Sequence, residues 1–447
     1  MVAATSVKTI PVAGALVIVT SCDVSVLIAL PICSSVILQS ILDGTTRLSK
    51  FQFVIALRLL HNVPMGSSKL SELLILGQGS DPKSERGVSC AGELPAASDP
   101  DLIARAIAAK AALGSRAMIL GHHYQRDEVI QFADITGDSF KLAQAAADNT
   151  SAEFIFFCGV HFMAESADIL TSSSQKVILP DLAAGCSMAD MATAKQVNDC
   201  WGSLEKLGVA AKTIPITYMN SSAAIKSFTG KNGGAVCTSS NAARAMTWAF
   251  DKGEKILFLP DQHLGRNTAV LSLGLTLEDC VIWNPWKLNG GLSELEIHKA
   301  KVILWRGHCS VHGRFSVENV ESMRAKLPGV KILVHPECPH EVVELADVVG
   351  STEMIIKTIA NSPIGSKWAI GTELNLVQRL AQDYPDREIH FLDKTVCYCS
   401  TMNRIDLPHL VWAMESLVAG HLVNQISVDA EVAKYAKVAL ERMLALP

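Results

Sequence analysis

The sequence predicts an α/β protein: three related α/β/α units with parallel sheets in a pseudo-threefold arrangement, behind an N-terminal extension of different character. Three observations lead there. From Leu102 onward, Ala-rich helical patterns alternate with short β-branched or aliphatic runs, the signature of βα units around parallel sheets. Each run is followed by a polar cluster and then another helical pattern. Taken in order, the runs fall into thirds that each finish in a cysteine-bearing loop, at Cys186, Cys309 and Cys399.

Strands are expected at Ala117–Leu120, Phe154–Phe157, Lys176–Leu179, Ile214–Tyr218, Ala235–Cys237, Lys255–Leu259, Lys301–Trp305, Lys331–Val334, Lys367–Ile370 and Glu388–Phe391. The clusters behind them include GHHYQRD, PDLAAGCSMAD, MNSSAAIKS, PDQHLGRN, RGHCSVHGR, HPECPHE and DKTVCYCS. In α/β folds ligands bind at the carboxyl ends of strands, where helix N-termini offer free N–H groups. Ten chemically rich strand ends are too many for one doubly wound sheet. Three repeats with converging ends accommodate them, with regions expected at 96–205, 206–325 and 326–447.

Residues 1–95 read differently. Ile10 to Leu42 is apolar over 33 positions with Asp23 as its only charge, longer than the ~20 residues that span a bilayer. Asp23, Pro31 and several Ser and Thr interrupt it, and a central Asp costs ~2.5–3.5 kcal/mol on insertion scales. A membrane anchor or targeting segment, an over-long or non-native start, and a folded accessory segment are the three readings. Membrane contact is expected only if 10–42 is an anchor. Gly77 to Pro100, rich in Gly, Ser, Pro and charge, reads as a linker.

With 49% hydrophobic residues and 19% charged, the 447-residue chain supports a large core and is not a disordered chain. A net charge of −5 with no long Lys/Arg run argues against a nucleic-acid partner. The 12 cysteines lack the dense spacing of a secreted disulfide scaffold, which fits a reduced, cytoplasmic chain. No CxxC pair is present to suggest a zinc ribbon, and Cys397-Tyr-Cys399 alone is a weak signal. Cys158 and Cys280 sit in apolar runs and are expected in the core, as are Trp283, Trp286 and Trp305. Three cysteines at equivalent strand ends suit an iron–sulfur cluster whose fourth iron is left open as a Lewis acid. Zinc on the same thiolates of an aldolase or hydro-lyase, and a non-catalytic iron–sulfur sensor, are the competing readings.

The strings HHYQRDEVIQFADITGDS, FCGVHFMAESADIL, LPDLAAGCSMADM, TYMNSSAAIK, CTSSNA, GHCSVHGRF, VHPECP, GSTEMI, GTELNLVQRL and CYCSTMNRI closely resemble the quinolinate synthase family. The resemblance runs in order from about Ala117 to Gly420, and nothing before about residue 100 belongs to it. It implies three α/β/α domains around a central [4Fe–4S] cluster held by Cys186, Cys309 and Cys399, the last in preference to Cys397. It implies condensation of iminoaspartate with dihydroxyacetone phosphate to quinolinate, releasing phosphate and water, in NAD synthesis. An aspartate-oxidising enzyme is implied as a functional partner.

The resemblance also implies a substrate site. H-x-Y falls on His122 and Tyr124, GDS on Ser139, YxN on Tyr218 and Asn220, and TSSNA on Ser239. CSVH falls on His312, HPE on His335 and Glu337, and GST on Thr352. Both substrates are anions, which short neutral donors, helix N-terminal N–H groups and histidines hold without a basic protein. Tyr124 and Glu337, with Tyr218 beside them, are the candidates for proton transfer. Asp261 and His263 are expected to orient their loop and not to touch substrate.

Overall fold

A computed structural model describes residues 8–12, 15–19, 94–394 and 398–446. The chain divides into two compact units, 1–70 and 71–447. Within the first, Lys8–Val12 and Ala15–Val19 form an antiparallel hairpin. The remainder of 10–42 and most of the expected linker lie outside the described residues. No helix among the described residues is long and apolar enough to cross a membrane.

The second unit contains three sheets with one shared strand plan. The first runs Gln425–Ile426, Lys176–Ile178, Phe154–Cys158, Ala117–His122, Ile135–Gly137. The second runs Cys280–Trp283, Val302–Trp305, Lys255–Leu259, Thr213–Tyr218, Ala235–Cys237. The third runs Val348–Val349, Lys331–Val334, Lys367–Gly371, Glu388–Phe391. All neighbouring strands are parallel except Gln425–Ile426, which pairs antiparallel with Lys176–Ile178. In every sheet the strand that comes first in the chain is flanked by the second and the third, and a later strand continues beyond the third. That later strand is the fourth in the first and third sheets, and the fifth, Val302–Trp305, in the second, where the fourth, Cys280–Trp283, is added at the edge. This common order makes the sheets three copies of one α/β plan.

The strands form where the sequence is continuously apolar, as buried parallel strands require. Phe154–Cys158 and Lys255–Leu259 are buried at every position. Helices start at side-chain caps: Thr193 with Gln196, and Ser316 with Asn319, close capping boxes before 194–206 and 317–326, satisfying otherwise orphaned N–H groups.

One expectation is corrected, that of a core Trp286, and the packing of 407–446 is a further finding. Residues 407–446 pack beside the first two sheets. The helix Leu407–Val418 packs on Leu102–Leu113, and Ala430–Ala445 packs on Ala223–Lys231. Their buried stripes, including Leu410, Val411, Met414 and Ala436, Ala439, Met443, belong to the core that also holds Phe156 and Phe258. Trp283 and Trp305 are buried as expected, but Trp286 is 83% exposed. It sits in the turn beyond Cys280–Trp283, where the Asn284 side chain accepts from its backbone N–H at 3.1 Å. The turn conformation sets its direction, and no apolar surface receives it.

Candidate active site

The three sheets direct their carboxyl ends at one cavity of about 70 Å³, room for several water molecules. It is lined by all thirteen side chains singled out in the sequence: His122, Tyr124, Ser139, Cys186, Tyr218, Asn220, Ser239, Cys309, His312, His335, Glu337, Thr352 and Cys399. Because the sheets share one plan, these residues form rings of equivalent positions. The first strands of the three sheets end in His122-x-Tyr124, Tyr218-x-Asn220 and His335-x-Glu337. The adjoining strands lead into Ser139, Ser239 and Thr352, and the strands that pair with the third ones on their far side, Lys176–Ile178, Val302–Trp305 and Glu388–Phe391, lead to Cys186, Cys309 and Cys399.

The two H-x-Z elements share a local bond. Tyr124 N–H donates to His122 Nδ1 at 3.1 Å, and Glu337 N–H donates to His335 Nδ1 at 3.3 Å. Burial drives both imidazoles down to a pKa of about 3, so they are neutral at physiological pH. With Nδ1 accepting, the ring proton sits on Nε2, leaving a donor for an anionic ligand. Asn220 lines the same cavity with its side-chain oxygen buried and, among the described residues, without a hydrogen-bond partner. Ser139 is the first residue of its helix, and the cap is Asp138, which accepts from Lys141 N–H at 2.9 Å. The second Asp138 oxygen accepts from Ser240 Oγ at 2.8 Å.

A buried hydrogen-bond chain crosses the site. His312 Nδ1 lies 2.5 Å from Glu337 Oε2, and His312 Nε2 lies 3.1 Å from Thr372 Oγ1. Thr372 Oγ1 lies 2.8 Å from Tyr124 OH, which lies 3.0 Å from Thr352 Oγ1. His335 stacks on His312 with centroids 4.4 Å apart, and the Tyr218 hydroxyl favours the ionised Glu337 carboxylate. Burial alone would raise Glu337, but His312, His335 and Tyr218 outweigh it and hold the carboxyl at about 2. Burial lifts both tyrosines well above the ordinary phenol range.

Each cysteine opens the same small turn. Asp190, Gly313 and Asn403 N–H donate to the Cys186, Cys309 and Cys399 carbonyls at 3.2, 2.9 and 3.0 Å. A 3-10 turn follows three residues after each cysteine, at Ala189–Met191, His312–Arg314 and Met402–Arg404. Backbone N–H groups of Met188 and Ala189, of His312, and of Thr401 and Met402 favour the ionised sulfurs. Against that, burial raises all three thiols, Cys186 to about 12, and the sulfurs repel one another once charged. Three thiols facing one cavity with anion-favouring turns suit a metal group whose positive charge offsets this cost. Cys309, His312 and Glu337 also bring ligand atoms within 4.8 Å of one another, a corner that could take a single divalent ion. Cys397 lies outside the described residues.

The sequence reading had not singled out Asp138, Thr238, Thr372, Glu373 or Thr401, although four of them line the cavity and Thr372 joins two of its walls. GDS and GTE, each between a strand and a helix, were the available signals, since a cap residue there is placed beside the strand end. Asp261 caps its helix by accepting from His263 and Leu264 N–H, both at 2.7 Å, and does not line the cavity.

A scaffold of three like α/β sheets whose strand ends converge on one cavity lined by thiols and acid/base side chains has the arrangement of an enzyme active site. Residues 105–445 match the family described as Quinolinate synthetase A protein. The chain is 68% identical over 377 residues to a quinolinate synthase of Streptomyces coelicolor, covering 84% of this chain and 96% of that protein. It is 68% identical over 381 residues to one of a Nocardioides species, covering 84% and 97%. To one of Anoxybacillus flavithermus it is 59% identical, covering 75% and 91%. The chain belongs to the quinolinate synthetase A family.

Proposed function

We propose that this chain is a quinolinate synthase: it condenses iminoaspartate with dihydroxyacetone phosphate to quinolinate, releasing one phosphate and two waters, as a step of NAD synthesis in the cytoplasm. The observation that carries this reading is the convergence of thirteen side chains from three sheets on one cavity, in a chain 68% identical to named quinolinate synthases. An aspartate-oxidising enzyme is the partner that would supply the unstable imine.

In this reading Cys186, Cys309 and Cys399 hold a [4Fe–4S] cluster. When bound, the cluster supplies a Lewis-acidic iron that polarises a hydroxyl for loss as water. The regions 96–205, 206–325 and 326–406 are the three repeats, with 407–446 bracing the first two. His122 and His335 donate from Nε2 to anionic oxygens, and Ser139, Ser239, Asn220 and Thr352 complete the anion-holding set.

The buried chain gives proton transfer a direction. In the tautomer with its proton on Nδ1, His312 donates to Glu337 and its Nε2 accepts from the Thr372 hydroxyl. Thr372 then accepts from Tyr124 O–H. The chain thereby joins the Tyr124 phenol to Glu337 as a path along which a proton can be relayed when substrate supplies or takes it at one end, and Tyr218 favours the same carboxylate in its charged form.

The test is anaerobic quinolinate formation by the full chain, given dihydroxyacetone phosphate and freshly generated iminoaspartate. Quinolinate, with a brown protein containing iron and sulfide, is expected. An iron-loaded protein that makes none overturns the reaction. A colourless, zinc-containing protein that turns over points to the Cys309–His312–Glu337 corner as the metal site.

A further inference from the structure

The third strands of the sheets, Phe154–Cys158, Lys255–Leu259 and Lys367–Gly371, each run into a helix that starts beside a cysteine loop. The cap positions of these helices are Val160, Asp261 and Glu373. Backbone bonds establish the equivalence of the first two. His161 N–H donates to Ala184 O at 2.8 Å, and Gln262 N–H donates to Gly307 O at 3.0 Å. In both repeats the residue after the cap reaches the carbonyl two residues before the cysteine.

Two repeats place a buried carboxyl where the first has valine. Asp261 is fully buried and Glu373 is 1% exposed. A cap needs one oxygen, and Ser, Thr or Asn supplies it without the cost of burying a carboxyl. The second oxygen is therefore the informative one. In Glu373, Oε2 accepts from Asn375 N–H at 2.8 Å, while Oε1 accepts from the backbone N–H of Cys399 at 3.3 Å. In Asp261, Oδ1 takes both cap bonds, the backbone N–H of Cys309 favours the charged carboxyl, and Oδ2 is buried with no hydrogen-bond partner among the described residues. The Asp261 backbone bridges to Gly307, where a Cβ would collide with the Pro260 carbonyl oxygen, so the Cys309 loop is seated directly on this strand end.

We propose that Asp261 and Glu373 are positioning residues of the thiolate site: each joins the start of a helix to one cysteine loop, Glu373 through its bond to the Cys399 N–H and Asp261 through its bridge to Gly307 and its approach to the Cys309 N–H, at a position where the first repeat has Val160. The proposal rests on the three-cysteine reading above. It explains why carboxyls that contribute no step to proton transfer occupy equivalent buried positions in two repeats.

Asp261→Asn and Glu373→Gln keep shape and one cap oxygen while turning the second oxygen into a donor that opposes the cysteine N–H. Two readouts other than activity test them: anaerobic iron release to a chelator, and the order in which the three cysteines are alkylated as iron leaves. Each variant is expected to release iron roughly ten- to hundredfold faster, from the strength of a charge-assisted bond. Cys309 should be alkylated first in Asp261→Asn, and Cys399 first in Glu373→Gln. General destabilisation would instead expose all three together. Parental release rates, or an alkylation order that is the same in both variants, overturn the clamps. A parent protein without iron and sulfide overturns the three-cysteine reading itself. Should either variant fail to fold, Glu373→Asp and Asp261→Glu keep the charge and shift its reach; parental iron retention in both would overturn the proposal.

Discussion

Thr372→Val removes one oxygen and leaves the shape of a fully buried side chain. That oxygen serves Tyr124 OH at 2.8 Å and His312 Nε2 at 3.1 Å. Tyr124 keeps Thr352 at 3.0 Å, whereas His312 Nε2 has no other hydrogen-bond partner among the described residues. Stranding a buried ring nitrogen costs ~1–3 kcal/mol and losing a neutral hydrogen bond ~0.5–1.5 kcal/mol, so stability should fall by about 2–4 kcal/mol. The functional loss should be larger, because the chain from Tyr124 to Glu337 is cut in the middle. Acid/base contributions are typically ~10²–10⁴-fold, and turnover should drop within that range. The assay is anaerobic quinolinate formation alongside denaturant unfolding, with iron content as the control. Thr372→Ser should recover most turnover. Combining Thr372→Val with Tyr124→Phe should cost little more than the worse single variant, since both interrupt one chain. Parental turnover in a folded, iron-loaded Thr372→Val protein would refute the relay.

Cys309→Ser is expected to lose iron, sulfide and activity together, and iron analysis with retained turnover would remove Cys309 from the site. Glu337→Gln should keep the iron and lose turnover; loss of both would make Glu337 a structural residue. His122 gives a pH signature. Its folded pKa, lowered to about 3 by burial, lies below the ordinary ~6.5. The unfolded chain therefore takes up a proton that the folded chain refuses. Stability held above pH ~6.5 should fall by up to ~1.4 kcal/mol per unit as the pH drops towards 3. Denaturation midpoints against pH should show a shallower acid-side slope for His122→Asn, and an unchanged slope would mean that His122 is already charged in the fold.

In the second unit all ten expected strands are present, and the four others described there are edges: Ile135–Gly137, Cys280–Trp283, Val348–Val349 and Gln425–Ile426. A strand paired on both sides and covered on both faces must be continuously apolar. An edge of two to four half-buried residues has no such requirement and leaves no period to read. The same distinction governs the site. Residues whose chemistry is carried within a short string, such as His122 and Tyr124 or His335 and Glu337, were legible because each string reports its own strand end. Thr372 was not: its importance comes from touching Tyr124, 248 residues away, and His312, 60 residues away.

The amino-acid pattern by itself determined the α/β class, ten of the strands, the three cysteine-bearing turns and the polar groups that end the strands. Local hydrophobicity, cap chemistry and strand-end composition all act within a few residues. Only the tertiary structure decided that 407–446 braces the first two sheets, that Trp286 faces solvent, and that Thr372 joins Tyr124 to His312. It also decided that Asp261 and Glu373 reach the cysteine backbones. Those outcomes depend on which surfaces meet when three similar sheets converge, and a contact between residues 60 to 248 positions apart is encoded only in the fit of the whole core.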